Sequence, residues 1–280
     1  MMAQTGYDEI ITPQTLADAV VAMAGGAVPI AGATWILRAP LRHEAMPERL
    51  MSLRGLTDMA ALTVGPERLI LGAMVTHDAL AGALAGKPDL AGLVTAAGAS
   101  ANPGVRRIAT LGGNLGAVGF AASDLVPALM AAGATVVLAT GHGLQSRSMA
   151  AFLAGRDRSG LIVRVEIDRS QRRAAHARLP MRKAGDYPCA IVSVSADLSG
   201  KKIKDIRIAV GAVEANARRW TSLEERLTGT TFDPALAEAA ARQMTGDFTA
   251  RDTVDAPGWY RLSVLPVLLR RAFTKMQAEV

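Results

Sequence analysis

The sequence predicts an α+β fold, in which two small α/β lobes precede a C-terminal lobe of antiparallel sheet and helices. Three observations predict it. Residues 14–24 place apolar side chains at helical spacing between short extended segments. Residues 62–167 interleave short apolar or β-branched runs with helical stretches. Residues 190–213 carry two runs of period-two alternation around Gly200-Lys201-Lys202, and helical patterns follow them.

The first lobe covers about residues 1–58. Leu16, Ala19, Val20 and Met23 share one face of a helix over 14–24. Thr12-Pro13 supplies its start and Gly25-Gly26 its stop. Val28 to Ala31 and Leu50 to Leu53 read as strands. The second lobe covers about 59–175. Leu62 to Val64 and Leu69 to Gly72 flank Gly65-Pro66 as a hairpin. Thr76 caps a helix that begins at His77-Asp78, and Leu90 to Ala99 forms another, broken by Asn102-Pro103-Gly104. Asp124 to Ala132 is helical, and Thr135 to Ala139 and Leu161 to Ile167 are strands. Arg169 to Arg173, charged and polar, reads as a solvated connection, with the domain boundary near 170–178. In the last domain, 176–280, the strands Ala190 to Leu198 and Ile203 to Val213 precede helices over 234–244 and 263–276.

Composition removes several function classes. Half of the 280 residues are apolar but only 4% are aromatic, so the core is built from Ala, Val, Leu, Ile and Met. No apolar run approaches the ~20 residues of a membrane span. Met1 to Asp8 lacks a basic stretch followed by an apolar block, so no secretion leader is expected. The single cysteine, Cys189, forms no intrachain disulfide and holds no iron–sulfur cluster, which takes about four thiolates. It starts an apolar strand, and a buried inert thiol is expected there. A cytoplasmic location fits this cysteine usage. The four histidines are scattered without metal-ligand spacing, so no metal site is expected. The net charge of +6 is spread over small basic groups without interleaved aromatics, which argues against nucleic acid and for a solvated surface or an acidic partner.

Two glycine turns carry the functional reading: Ala31-Gly32-Ala33-Thr34-Trp35 and Thr110-Leu111-Gly112-Gly113-Asn114-Leu115. Small residues beside a hydroxyl or amide let backbone N–H groups approach a diphosphate closely. The pair suggests two clamps on one extended, phosphate-bearing cofactor. Neither fits Gly-x-Gly-x-x-Gly opening a helix, and no Gly-x-x-x-x-Gly-Lys-Ser/Thr loop is present, so neither a Rossmann site nor a P-loop is supported.

In order and spacing these segments resemble the flavin subunit of the molybdenum-containing hydroxylases, the family of carbon monoxide dehydrogenase and xanthine dehydrogenase. The turns look like that family's Ala-Gly-Gly-Thr/Gln/His-x and Thr-Ile-Gly-Gly-Asn/Ser-Leu, and Ala121-Ala122-Ser123-Asp124 looks like its Ala-x-Asp stretch. Leu71 to His77, Arg182-Lys183-Ala184-Gly185-Asp186-Tyr187 and the C-terminal Tyr260-Arg261 with Arg270-Arg271-Ala272 continue the likeness in order across about 250 residues. The resemblance implies an FAD-binding domain of the PCMH type, and FAD held by both turns through backbone N–H groups. Thr34, Thr110, Asn114 and Ser123 would add side-chain hydrogen bonds. Asp124 would accept from ribityl hydroxyls or cap its helix. Ile162 would lie against the isoalloxazine or simply fill the core. Lys183 or Arg182 would stabilise reduced, anionic flavin.

The same resemblance implies an electron relay with no catalytic side chain of its own. A large molybdenum–pterin subunit and a small subunit with 2Fe–2S clusters are the expected partners, in a dimer of heterotrimers. Ala33 stands where the family has glycine, Trp35 where a small or polar residue is usual, and Val118-Gly119-Phe120 replaces a more polar run. If Ala33 needs a positive φ, it costs on the order of 1 kcal/mol. A stand-alone FAD oxidoreductase and a scaffold that has lost FAD are the alternatives.

Overall fold

The computed structural model describes residues 9–155, 160–181 and 186–278. The first lobe is a parallel three-stranded sheet. Its strands β1 (Glu9–Ile11), β2 (Val28–Ile30) and β3 (Arg49–Ser52) lie in the order β1-β3-β2, and helix α1 (Leu16–Ala24) makes the crossover between β1 and β2. Thr15, not Thr12-Pro13, caps α1, by accepting from the Asp18 N–H at 3.1 Å. β1 escapes the sequence reading because it has only three residues and Ile10 is exposed.

The second lobe begins with the hairpin β4 (Leu62–Val64) and β5 (Arg68–Gly72). Five helices follow: α2 (His77–Leu84), α3 (Ala91–Ala99), α4 (Pro103–Arg106), α5 (Leu111–Gly116) and α6 (Leu125–Ala132). Then come β6 (Thr135–Thr140), β7 (Gly143–Ser148), α7 (Met149–Ala154) and β8 (Leu161–Asp168). The sheet order is β4-β5-β8-β6-β7, antiparallel throughout. The edge strand β7, Gly-Leu-Gln-Ser-Arg-Ser, is too polar to announce itself as a strand. Leu111–Gly116 is a helix where the sequence suggests an open glycine turn.

The C-terminal sheet orders β12-β11-β10-β9, from β9 (Arg172–Pro180), β10 (Pro188–Ser199), β11 (Lys202–Gly211) and β12 (Arg218–Arg219). Helices α8 (Thr221–Leu227), α9 (Pro234–Met244), α10 (Gly258–Ser263) and α11 (Leu265–Ala278) follow. One face of β10, with Ala190, Val192, Val194 and Ala196, packs into a core with Leu265, Leu268, Leu269, Ala272 and Phe273. The opposite face meets α3 and α6 of the second lobe. Small residues permit that close seam: a Cβ on Gly92 would stand 3.3 Å from the Ala175 backbone, and one on Gly211 would stand 2.9 Å from Pro127. The buried Arg261 donates to the Cys189 and Ala212 carbonyls at 2.6 and 3.1 Å. Cys189 is buried, and that burial pushes its thiol pKa up, as an inert core thiol requires.

The stretch 169–173 is only partly a solvated connection: Ser170 and Gln171 are exposed between β8 and β9, whereas the arginines are engaged. Arg169 forms a bidentate pair with Asp89 at 2.8 and 3.0 Å and donates to the Gly65 carbonyl at 2.7 Å. Arg172 already belongs to β9 and reaches Ser195 and Asp205. Among the described residues no helix is long and apolar enough to cross a membrane.

Candidate functional site

A cavity of about 1040 Å³ opens between the three parts of the chain. It matches the upper end of small-molecule sites, roughly 300–1,000 Å³, as a long ligand requires. Ala31, Gly32, Ala33, Thr34, Trp35, Thr110, Gly112, Gly113, Asn114, Asp124 and Ile162 all line it. Ser123 does not, and Arg182 and Lys183 lie outside the described residues.

The first turn leaves β2 and crosses the segment ahead of α5. Gly32 is glycine for space, because a Cβ there would sit 1.9 Å from the Ile108 carbonyl oxygen. Ala33 has φ +61°, the left-handed conformation, although it carries a Cβ. The N–H groups of Gly32, Ala33, Thr34 and Trp35 make no hydrogen bond among the described residues.

The second turn is built differently. Thr110 caps α5 by accepting the Gly113 N–H at 3.1 Å. The Leu111 and Gly112 N–H groups donate to the carbonyls of Val75 and Ala73 at 2.9 and 2.7 Å, and Asn114 N–H donates to Thr110 at 2.9 Å. The N–H groups of Leu111 to Asn114 are therefore spent within the chain. What this turn offers a ligand is close approach and the Asn114 side chain. Gly112 answers to packing, since a Cβ there would meet Ala73 Cβ at 2.7 Å.

Ser123 acts through Asn114. Its hydroxyl donates to Asn114 Oδ1 at 2.6 Å and accepts the Val126 N–H at 3.2 Å, so Ser123 and not Asp124 supplies the cap bond of α6. Asp124 is 1% exposed. Its Oδ1 accepts from Arg178 Nε at 2.9 Å and from His176 Nε2 at 3.1 Å, while Oδ2 has no partner among the described residues.

His77, in the first turn of α2, also lines the cavity. Its Nδ1 lies 2.7 Å from Ser100 Oγ, and the buried Nε2 has no partner among the described residues. Burial drives its pKa down from 6.5 to about 4, against the weaker opposing pull of the Asp124 charge and of the nearby Thr110 backbone, so the ring is neutral near pH 7. Two orphaned buried polar atoms, His77 Nε2 and Asp124 Oδ2, thus belong to residues of the cavity wall. Buried polar atoms require partners. Hydroxyl groups, which donate and accept, suit both.

An aromatic series closes another part of the wall. Trp35 packs on Phe120 at 4.7 Å between centroids, and Phe120 meets Tyr187 edge-on at 5.3 Å. The Arg42 guanidinium sits 4.0 Å above the Trp35 ring and donates to the Trp35 carbonyl at 2.9 Å. Ile162, on β8, bounds the cavity beside Gly116. Sequence reasoning missed His77, Arg42, Phe120, His176 and Arg178. Only His77, behind its Thr76 cap, carried a local signal. Among the described residues no group of three or more metal-ligating side chains converges.

Residues 4–168 match the family model described as the FAD binding domain in molybdopterin dehydrogenase. The chain belongs to this family. Residues 175–276 of the chain match the family model described as the CO dehydrogenase flavoprotein C-terminal domain. The carbon monoxide dehydrogenase medium chain of Afipia carboxidovorans is 29% identical to it over 281 residues, 95% of this chain and 96% of that one. The glyceraldehyde dehydrogenase medium chain of Sulfolobus acidocaldarius is 27% identical over 177 residues, 61% of this chain and 63% of that one. The quinoline 2-oxidoreductase of Pseudomonas putida 86 has a chain that superposes with a TM-score of 0.86 at 26% identity, covering 100% of this chain and 99% of that chain. The chain is an oxidoreductase subunit, and its fold matches a chain of the Cu,Mo-CO dehydrogenase with a TM-score of 0.88 at 25% identity.

Proposed function

We propose that the cavity holds FAD and that the chain relays electrons from 2Fe–2S clusters on a partner subunit to an external acceptor. One observation carries this: the uncommitted N–H groups of the first turn and the two orphaned buried polar atoms belong to the wall of a single cavity. The donors suit a diphosphate, which is anionic and accepts only. The orphaned atoms of His77 and Asp124 suit the hydroxyls of a ribityl chain. FAD when bound accepts and passes on electrons, and the protein supplies position and electrostatics.

In this reading Gly32, Ala33, Thr34 and Trp35 bind the diphosphate, with Ala31, Thr110, Gly112 and Gly113 bounding the same stretch. Asn114, held by Ser123, and Asp124 bind the ribityl chain. Ile162 bears on the isoalloxazine, and Lys183 stabilises its reduced, anionic form. The organic substrate is oxidised on a large molybdenum–pterin subunit, in a cytoplasmic dimer of heterotrimers. The division of the chain into an FAD-binding domain over 1–175 and a C-terminal domain over 176–280 belongs to the same proposal.

The test is the visible absorption spectrum of the purified full chain, with the cofactor released by heat and identified. Flavin bands and released FAD support the reading. A colourless protein that takes up no added FAD overturns it.

A further inference from the structure

Asp124 lies at the head of α6 in the second lobe, but its carboxylate is held by the C-terminal sheet. His176 and Arg178 are two residues apart on β9, so both side chains leave the same face of the strand. Both reach Asp124 Oδ1, at 3.1 and 2.9 Å. His176 is itself fixed on its other side. Its Nδ1 lies 2.8 Å from the hydroxyl of Ser193, its register partner on β10. Its carbonyl accepts from Lys275 on α11 at 2.8 Å. The Arg178 guanidinium also donates to the Asp186 carbonyl, next to Tyr187 on the cavity wall. His176 is fully buried and Asp124 is 1% exposed. Two donors on Oδ1 restrain the carboxylate, and the buried Oδ2 is its oxygen without a partner among the described residues.

We propose that His176 and Arg178 are positioning residues through which the C-terminal domain orients Asp124 toward the ligand's hydroxyl groups. The flavin grip is then assembled across the domain seam, although His176 and Arg178 themselves do not line the cavity. The inference rests on the FAD reading and adds to it a dependence on the second domain.

The test is a double-mutant cycle on FAD affinity in the full chain, with the Tm of each flavin-free variant measured alongside. The variants are His176→Leu, Asp124→Ala and the pair combined. His176→Leu weakens FAD binding about tenfold, as loss of one hydrogen bond to a charged group does. In the Asp124→Ala background it causes no further loss, because no carboxylate remains to orient. His176→Gln, whose amide N–H replaces the imidazole Nε2–H donor, returns affinity to within about threefold of the parent.

If His176→Leu lowers Tm but leaves FAD affinity intact, or if its loss recurs undiminished beside Asp124→Ala, His176 is structural only and the inference fails. Should these variants not fold, Arg178→Lys keeps the charge and loses the fork geometry. Weaker FAD binding with a parental Tm then supports the inference, and unchanged affinity overturns it. A parent chain that binds no FAD overturns the cofactor reading and this inference with it, whereas additive losses in a chain that does bind FAD overturn the inference alone.

Discussion

Replacing Gly32 by alanine tests whether the first turn is the ligand clamp. The new Cβ would stand 1.9 Å from the Ile108 carbonyl oxygen, 2.8 Å from its carbon and 3.0 Å from Ala109 Cα. An unstrained contact needs about 3.5 Å, so a gap of roughly 1.5 Å must open. The Ile108 side cannot yield. Ile108 and Ala109 N–H donate to Val105 at 3.1 and 2.7 Å, and the Ala109 carbonyl accepts from the His77 N–H at 2.9 Å. The turn must move instead, and its uncommitted donors move with it. Overpacking of this kind costs about 1–3 kcal/mol. At about 2–4 °C per kcal/mol for a large single unit, Tm falls by several degrees. Two misdirected charge-assisted bonds, at about 1.5–3 kcal/mol each, weaken FAD by 100-fold or more. Thermal unfolding with and without FAD, together with flavin fluorescence titration, measures both effects. An unchanged Tm and affinity refute the geometric argument. A lowered Tm with full affinity refutes the clamp and leaves Gly32 a packing residue.

Ala33→Gly relieves the left-handed backbone at φ +61°, worth about 1–2 kcal/mol, and loses about 0.5–1 kcal/mol to chain entropy. Tm therefore rises by a degree or two, and a fall would show that the turn carries no strain at this residue. His77 has a folded pKa depressed to about 4 against 6.5 for the free side chain, so its contribution is complete above pH 6.5 and is lost as pH falls toward 4. The interval corresponds to about 3 kcal/mol. The parent minus His77→Gln difference in unfolding free energy should shrink by that order between pH 6.5 and 4, and a difference independent of pH removes this role. Lys183→Met lowers the flavin reduction potential if Lys183 stabilises the anionic reduced form, and redox titration returning the parental potential excludes it.

Local chemistry made much of the chain legible. The 3.6-residue apolar period marks α1, the Thr76 cap marks α2, and alternation marks β10 and β11. The two glycine turns and Asp124 stand out by composition, and all three line one cavity. What stayed hidden depends on partners far along the chain. Arg169 to Arg173 looks solvated until Asp89 and Gly65 are brought beside Arg169, 80 and 104 residues away in sequence. β7 is polar because it is an exposed sheet edge, so it has no apolar run to detect.

Residue type and spacing thus settle where segments begin, which turns are small enough for close approach, and that one cysteine cannot carry an iron–sulfur cluster. The tertiary structure decides which polar groups remain free. The second glycine turn resembles the first in composition, yet the N–H groups of Leu111 to Asn114 are taken by Ala73, Val75 and Thr110, while those of Gly32 to Trp35 have no acceptor among the described residues. Asp124 could as well have capped its own helix, but β9 places His176 and Arg178 against one oxygen and leaves the other buried without a partner among the described residues. A hydrogen bond is satisfied by whatever group lies within about 3 Å in space, and sequence periodicity carries no record of neighbours fifty residues away.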